Sequence, residues 1–343
     1  VKLPSLDSNH KCDDPMTANS SSQFSKIPGG ARLWRYLMYL TAFAITVYII
    51  LYDSFNIEEE GRPNIPPNPK KRQLTIVMNT FKRHDLLLDA IDHYSKCHVV
   101  KHIHIVWSEK DPPTHILLAK SQRSDPPTIH FDIHVNDSLN NRFKPLPEPY
   151  TSGIFSVDDD MRVPCNELAI AYDVWRGSKQ SIVGFMPRVH IRKDGKLTYR
   201  CWWRVWWEGS YSIILTKAAI LHHDYFKAYT SQLPTSMLDL IDRSRNCEDI
   251  TMQYLIANMT GLPPIYIKGH LDDKGALNGI STSQNFIKAG HMRERDWCLN
   301  ILEEFFGRNP LVKSRFFVDI ASNRWTNAPS TWYEYISSDL WKW

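Results

Sequence analysis

Hydrophobic and polar positions fall into several distinct rhythms along the chain, and each rhythm predicts an element. From Tyr36 to Tyr52 the sequence YLMYLTAFAITVYIILY runs seventeen residues without a charge. With Leu33 and Trp34 it approaches the ~20 residues a helix needs to cross a bilayer. Two other readings fit less well. A cleaved signal peptide ends in small residues, whereas this run ends in Ile49, Ile50, Leu51 and Tyr52. A core helix buries one face, whereas this run is apolar all round. A transmembrane signal anchor is therefore expected over residues 33–52. Lys26, Arg32 and Arg35 precede the uncharged run, and Asp53, Glu58, Glu59 and Glu60 follow it. The positive-inside bias then predicts a cytosolic tail at residues 1–32 and a lumenal remainder, a single-pass type II arrangement. Residues 53–72 are polar and proline-rich, which suits an extended stem, and residues 73–343 are left for a lumenal domain. Val1 opens the chain where Met16 would make a natural start, which puts residues 1–15 in question.

Beyond the stem the rhythm changes. Leu74-Thr75-Ile76-Val77-Met78-Asn79 is a short apolar run rich in β-branched residues and reads as a buried strand. It breaks at Thr80-Phe81-Lys82-Arg83-His84 into a helical pattern with Leu87, Ala90, Ile91 and Tyr94 on one face. His102-Ile103-His104-Ile105-Val106-Trp107 reads as a second strand. Strand, helix and strand at this spacing form a βαβ unit. An α/β fold is expected, with a mostly parallel central sheet that binds ligands at the C-terminal ends of its strands. No G-x-G-x-x-G follows the first strand and no Walker A loop occurs, so dinucleotide and P-loop readings fail.

Composition narrows the partners. Hydrophobic residues make up 43% of the 343, enough for a core and too many for a disordered chain. The balance of 41 basic against 37 acidic residues, with no long basic run or zinc-finger spacing, excludes nucleic acid as the main partner. Six cysteines (12, 97, 165, 201, 247 and 298) include no C-x-x-C pair. In an oxidising lumen the last five favour disulfides, and five being odd, at least one stays free or pairs between chains. Asn136 and Asn258 head possible glycosylation tripeptides.

Candidate chemistry concentrates at Gly153-Ile154-Phe155-Ser156-Val157-Asp158-Asp159-Asp160, where an apolar strand delivers three consecutive carboxylates. Such carboxylates repel one another unless a cation is near, and hard oxygen donors suit Mg²⁺ or Mn²⁺. The alternative is a solvated acidic turn, although apolar sequence resumes at once with Met161-Arg162-Val163-Pro164. A second acidic pair, Glu248-Asp249, opens a helical run, where carboxylates often only complement the helix dipole. Four tryptophans in six positions, Trp202, Trp203, Trp206 and Trp207, cannot all enter one small core; some read as core, others as a stacking surface for a sugar ring or lipid interface. Further tryptophans occur at 325, 332, 341 and 343. A metal phosphatase or nuclease would need histidines paired with the acidic cluster, and His134 and His190 show no such spacing.

These segments together resemble the exostosin-like glycosyltransferases. The carrying motifs are MNTFKRHDLLLDAIDHY, HIVWSE, DSLNNRF, FSVDDDM, IVGFMPRVH, NCEDITMQYLIANMTG and RERDWC, between about Leu74 and Val312. The short plant members that act on glycosylinositol phosphorylceramides are the most similar, through a shared WWxVWWxG stretch. The resemblance implies a GT-A type fold over the lumenal catalytic domain 73–343, a nucleotide-sugar donor, Mn²⁺ or another divalent cation, and transfer with retention. It implies a nucleotide pocket at Asn79, Arg83, Asp137 and Arg142, and donor contacts at Asp158 and Asp159. It also implies a metal on Asp160, an acidic pair Glu248 and Asp249 with Asp249 catalytic, Arg295 facing the diphosphate, and a Cys247–Cys298 disulfide. Two departures bear on the donor: Asp137 stands where the animal pattern has Asn, and Glu248 replaces the commoner Asp. The expected protein is thus a Golgi membrane enzyme giving mannose from GDP-mannose to a glycosylinositol phosphorylceramide. The alternatives are an N-acetylhexosamine transferase using a UDP-sugar and a non-catalytic glycan-binding protein on the same fold.

Overall fold

A computed structural model describes residues 38–46, 74–121, 126–275 and 290–320. The chain divides into two compact units, Val1–Asn68 and Pro69–Trp343. In the first, residues 38–46 are helical and expose Met38, Tyr39, Leu40, Phe43 and Ile45. Among the described residues no helix is long and apolar enough to cross a membrane. Most of the expected anchor, the whole stem, and Trp325, Trp332, Trp341 and Trp343 lie outside the described residues.

The second unit opens with the predicted βαβ unit. β1 (Leu74–Thr80), α1 (His84–Ser95) and β2 (Val100–Trp107) follow in order, and β1 and β2 pair in parallel from Leu74↔Val100 to Thr80↔Trp107. The helix buries Leu87, Ala90, Ile91 and Tyr94, the face its spacing predicts, because i, i+3, i+4 and i+7 positions stack on one side. After α2 (His115–Ser121), β3 (Thr128–Ile133) joins β2 in parallel. The chain then crosses to the other side of β1. There β4 (Gly153–Asp158) pairs in parallel with β1, in a register that sets Asp158 beside Asn79. Strand order therefore reverses at β1, and the crevice between the C-terminal ends of β1 and β4 is where such sheets bind ligands. Gly153 is required at the start of β4, because a side chain there would strike the ring of Trp175.

The remaining elements are β5 (Met161–Arg162), α3 (Cys165–Gly177), β6 (Val183–Gly184), β7 (Pro187–Lys193), β8 (Lys196–Arg200), α4 (Trp202–Glu208), β9 (Ile213–Ile214) and β10 (Ala218–His222). They continue with α5 (Asp224–Gln232), α6 (Thr235–Ser244), α7 (Glu248–Thr260), β11 (Ile265–Lys268), β12 (Asp272–Asp273), α8 (His291–Phe306) and β13 (Phe317–Asp319). Among the described residues the main sheet has eight strands in the order β13-β11-β6-β10-β4-β1-β2-β3. Only β10 runs antiparallel to its neighbours β4 and β6, so the α/β, mostly parallel expectation holds. Two small sheets, β8-β7-β9 and β12-β5, carry segments that reach the site. Ile76, Met78, Ile103, Ile105, Phe155 and Val157, at alternate positions in matched register, share one buried apolar face of the main sheet, and Val77, Val106, Ile154 and Leu221 are buried on the other beside Thr75, His104 and Ser156.

Two disulfides brace this frame, Cys97–Cys165 and Cys247–Cys298. The first fastens the chain after α1 to the first residue of α3, and no pairing for these cysteines was predicted from the sequence. Cys201 belongs to neither bridge.

Candidate active site

Arginines meet the three carboxylates of Asp158, Asp159 and Asp160 at the end of β4. Asp158 forms an ion pair with Arg142. That arginine is itself buried, on the 3-10 turn Leu139–Phe143, where the Ser138 hydroxyl caps the turn by accepting from Asn140 N at 3.1 Å. Asp159 is fully buried, accepts from the Thr80 hydroxyl at 2.7 Å and pairs with Arg83. Arg83 also reaches Asp160 at 2.6 Å. The mutual repulsion of the triplet is thus offset by two guanidinium groups of the protein, a solution the sequence reading had reserved for a metal ion. Burial pushes the Asp159 carboxyl up to about 7, against the opposing pull of Arg83 and the Thr80 hydroxyl. Arg162 holds the turn from behind, donating to the Asp159 carbonyl at 2.8 Å while pairing with Asp89.

Backbone from a later segment lies directly on Asp160. Its carbonyl accepts from Lys274 N at 2.8 Å, and a Cβ at Gly275 would collide with its carboxylate. This is a close approach that only glycine permits.

Arg142 connects the triplet to the second acidic pair. Burial lowers its pKa, but Asp158 and then Glu248 and Asp249 outweigh that, so it stays charged. Glu248 and Asp249 stand in the first turn of α7. Desolvation, and after it the Asp249 charge, raises Glu248 above the ordinary carboxyl range. Asp249 is buried, and its Oδ2 accepts from Arg295 Nη1 at 3.0 Å. Arg295, on α8, also donates to the Tyr199 hydroxyl at 2.9 Å and lies 5.0 Å from the centre of that ring. The Cys247–Cys298 bridge joins the residue before α7 to the turn of α8 beyond Arg295, and so fixes the two partners of this ion pair relative to each other. Asp249, buried and paired with Arg295, does not fit the bland alternative of a dipole complement on a solvated helix, whereas Glu248 is half-buried beside it in the first turn.

Beside the triplet a cavity of about 250 Å³ is lined by Asn79, Thr80, Phe81, Arg83, Ser108, Asp137, Ser138, Leu139 and Arg245. It gathers Asn79, Arg83 and Asp137, three of the residues expected at the nucleotide. Arg245 was not foreseen. It pairs with Asp137 at 3.0 Å from the left-handed position that ends α6, and a lone arginine between a helix and an acidic pair gives no local signal of such a role. Tyr199 escaped notice for the same reason: in sequence it is one aromatic on a short strand.

Carboxylate oxygens are the donors that Mg²⁺ and Mn²⁺ prefer, so the donor chemistry fits a hard cation. Among the described residues, the groups that converge closely enough to hold an ion are His93–Cys97–Cys165 and His222–His223–Asp224. The first contains a disulfide, and neither includes the triplet. A cation here would rest on Asp160 and complete its shell with ligand oxygens, as Mg²⁺-type sites on one or two carboxylates do.

A family model described as the glycosyl transferase family 64 domain matches residues 74–323. The glycosylinositol phosphorylceramide mannosyl transferase 1 of Arabidopsis thaliana is 39% identical over 268 residues, covering 74% of this chain and 78% of that protein. The exostosin-like-3 homolog of Caenorhabditis elegans is 30% identical over 263 residues, covering 74% of this chain but 30% of that protein's length. A solved mannosyltransferase from Pyrobaculum calidifontis, in complex with GDP-Man and Mn²⁺, superposes with a TM-score of 0.37 at 15% identity, over 67% of this chain and 64% of that one. That likeness is too slight to bear on the reaction.

Proposed function

The chain belongs to glycosyl transferase family 64, and from that premise we propose that it transfers mannose from GDP-mannose, with retention, to a glycosylinositol phosphorylceramide at the Golgi membrane. Its 39% identical plant relative, a glycosylinositol phosphorylceramide mannosyl transferase, supports mannose as the sugar and the glycolipid as the acceptor. The observation that carries the reaction type is the paired acidic site. An arginine-balanced triplet stands at the end of β4, and a buried Asp249–Arg295 pair stands across Arg142 from it.

The roles follow from charge and position. The cavity beside Asn79, Asp137 and Arg245 takes the nucleoside. Arg83 and Arg142, already close to the triplet, face the diphosphate and stabilise the charge it gains as the bond from sugar C1 to phosphate oxygen breaks. A divalent cation held by Asp160 would supply further Lewis-acid stabilisation of the departing diphosphate. Asp249 stabilises the positive charge that develops on the sugar. Its pairing with Arg295 damps its nucleophilicity, which favours attack of the acceptor hydroxyl on the same face. The acceptor oxygen then bonds to C1, and its proton passes to the leaving phosphate oxygen.

The test is donor hydrolysis by the purified chain, with GDP-mannose and UDP-N-acetylglucosamine compared in Mn²⁺ and in EDTA. Hydrolysis of GDP-mannose that EDTA abolishes is expected. Preference for the UDP donor would replace mannose with an N-acetylhexosamine, and binding of glycans without hydrolysis of either donor would leave a glycan-binding protein.

A further inference from the structure

The tryptophan cluster is a helix, and its rings face water. α4 turns Trp202 and Val205 partly inward and leaves Trp203, Trp206 and Trp207 47%, 60% and 70% exposed. Trp203 and Trp206, one turn apart, stack with ring centres 5.3 Å apart and planes 13° from parallel, so they form a continuous apolar ridge. A helix this short gains little by itself from displaying three indoles, and exposed aromatic patches of this kind mark interaction sites.

The charges around the ridge indicate what it meets. Arg204 rises from the same helix and pairs with Glu208 at 3.0 Å. A neighbouring segment, bridged to Tyr211 at Ser314, brings Lys313 and Arg315 to a shallow cleft with Glu208 and Ser210. It also exposes Phe316. Three cations thus surround one carboxylate, Glu208, which already serves Arg204 and Lys313. Indoles flanked by a net positive charge, three cations against one carboxylate, match the interfacial zone of a bilayer with anionic headgroups, where indole rings settle and basic side chains find phosphate. A neutral sugar would use the rings and leave the cations idle.

We infer that the Trp203–Trp206–Trp207 ridge of α4, with Lys313 and Arg315, docks the domain on an anionic lipid surface. The ridge follows directly on the site: only Arg200, Cys201 and Trp202 separate it from Tyr199, the partner of Arg295. Docking there presents the active site to a headgroup while the lipid tails stay in the bilayer. The inference deepens the reading of a lipid-borne acceptor and rests on it for its purpose.

The full-length chain, reconstituted in vesicles of phosphatidylcholine with or without phosphatidylserine, tests it when the lipids carry brominated acyl chains that quench nearby indoles. The informative signal is the wild-type fluorescence minus that of a Trp203→Ser, Trp206→Ser, Trp207→Ser variant. It should be quenched severalfold more in phosphatidylserine vesicles than in neutral ones. The quenching should fade in molar salt, where the screening length falls to about 3 Å. It should also fade in a Lys313→Gln, Arg315→Gln variant, each cation contributing about fivefold to membrane affinity. This second variant leaves every tryptophan in place and guards against a folding defect in the first. A difference signal that anionic vesicles leave unquenched would overturn the docking. Equal quenching in neutral vesicles, unmoved by the charge variant, would overturn the anionic partner. Hydrolysis of GDP-mannose by water, measured on the same samples, fails only if the proposed reaction fails, so the two outcomes remain separate.

Discussion

Asp249 and Arg295 hold each other at 3.0 Å in a buried setting, and the Tyr199 hydroxyl steadies the guanidinium from its other side. Removing one partner of such a pair leaves a charge without compensation. Asp249→Asn should therefore cost about 3–5 kcal/mol of stability as well as activity, which denaturant titration beside a rate measurement would show. Tyr199→Phe is the finer probe. It keeps the ring beside Arg295 and removes only a hydrogen bond to a charged group, an interaction typically worth about 1.5–3 kcal/mol. We expect kcat about tenfold lower with KM for the donor unchanged, the pattern of an interaction made in the transition state. A raised KM with normal kcat would instead place Tyr199 in donor binding.

At the scale of elements, the Cys247–Cys298 bridge closes a loop of sequence separation 51 and ties α7 to α8. Cys298→Ser should lower stability by about 2–4 kcal/mol and let Arg295 drift from Asp249. A melting curve and the transfer rate should fall together, and an unchanged melting curve would deny the bridge any structural role. How much of this was legible depends on the range of the forces involved. β1, α1 and β2 could be read because apolar spacing at two and near four residues encodes which face is buried, and Leu87, Ala90, Ile91 and Tyr94 are indeed buried together. The acidic triplet was legible because a charged run after an apolar strand is a local signal. What balances it was not: Arg83 and Arg142 come from elements 77 and 16 residues away. The Cys97–Cys165 pairing, Arg245 against Asp137 and Tyr199 against Arg295 likewise depend on topology. The tryptophan run gave its composition but not its exposed face, since seven residues span barely two helical turns.

For the whole molecule, two expectations follow from charge. The basic residues before Leu33 and the acidic ones after Tyr52 predict that residues 53–343 face the lumen, so protease added to sealed vesicles should spare that fragment, and its digestion without detergent would reverse the orientation. Acid should weaken the fold. Burial, followed by nearby positive charges, lowers His102 and His190 to about 4 from the ordinary 6.5. His190 is held neutral between the Ser212 hydroxyl at 2.8 Å and the Asn309 amide at 3.1 Å. Between those values the unfolded chain binds more protons, so the stability from these rings is complete above about pH 6.5 and is lost as pH falls toward 4. The melting temperature should drop across that window, and His190→Gln should flatten the slope; an unaltered slope would assign the acid sensitivity elsewhere. The claim on which the rest depends is mannosyl transfer at the site between β4 and α7. Its most direct measurement is the product formed from GDP-mannose and a glycosylinositol phosphorylceramide in micelles, analysed for mass and anomeric configuration. One added mannose with the donor's configuration retained is expected, a product that disappears in EDTA and falls at least about a hundredfold in Asp249→Asn. An inverted linkage, or undiminished product from the Asp249→Asn enzyme, would contradict it.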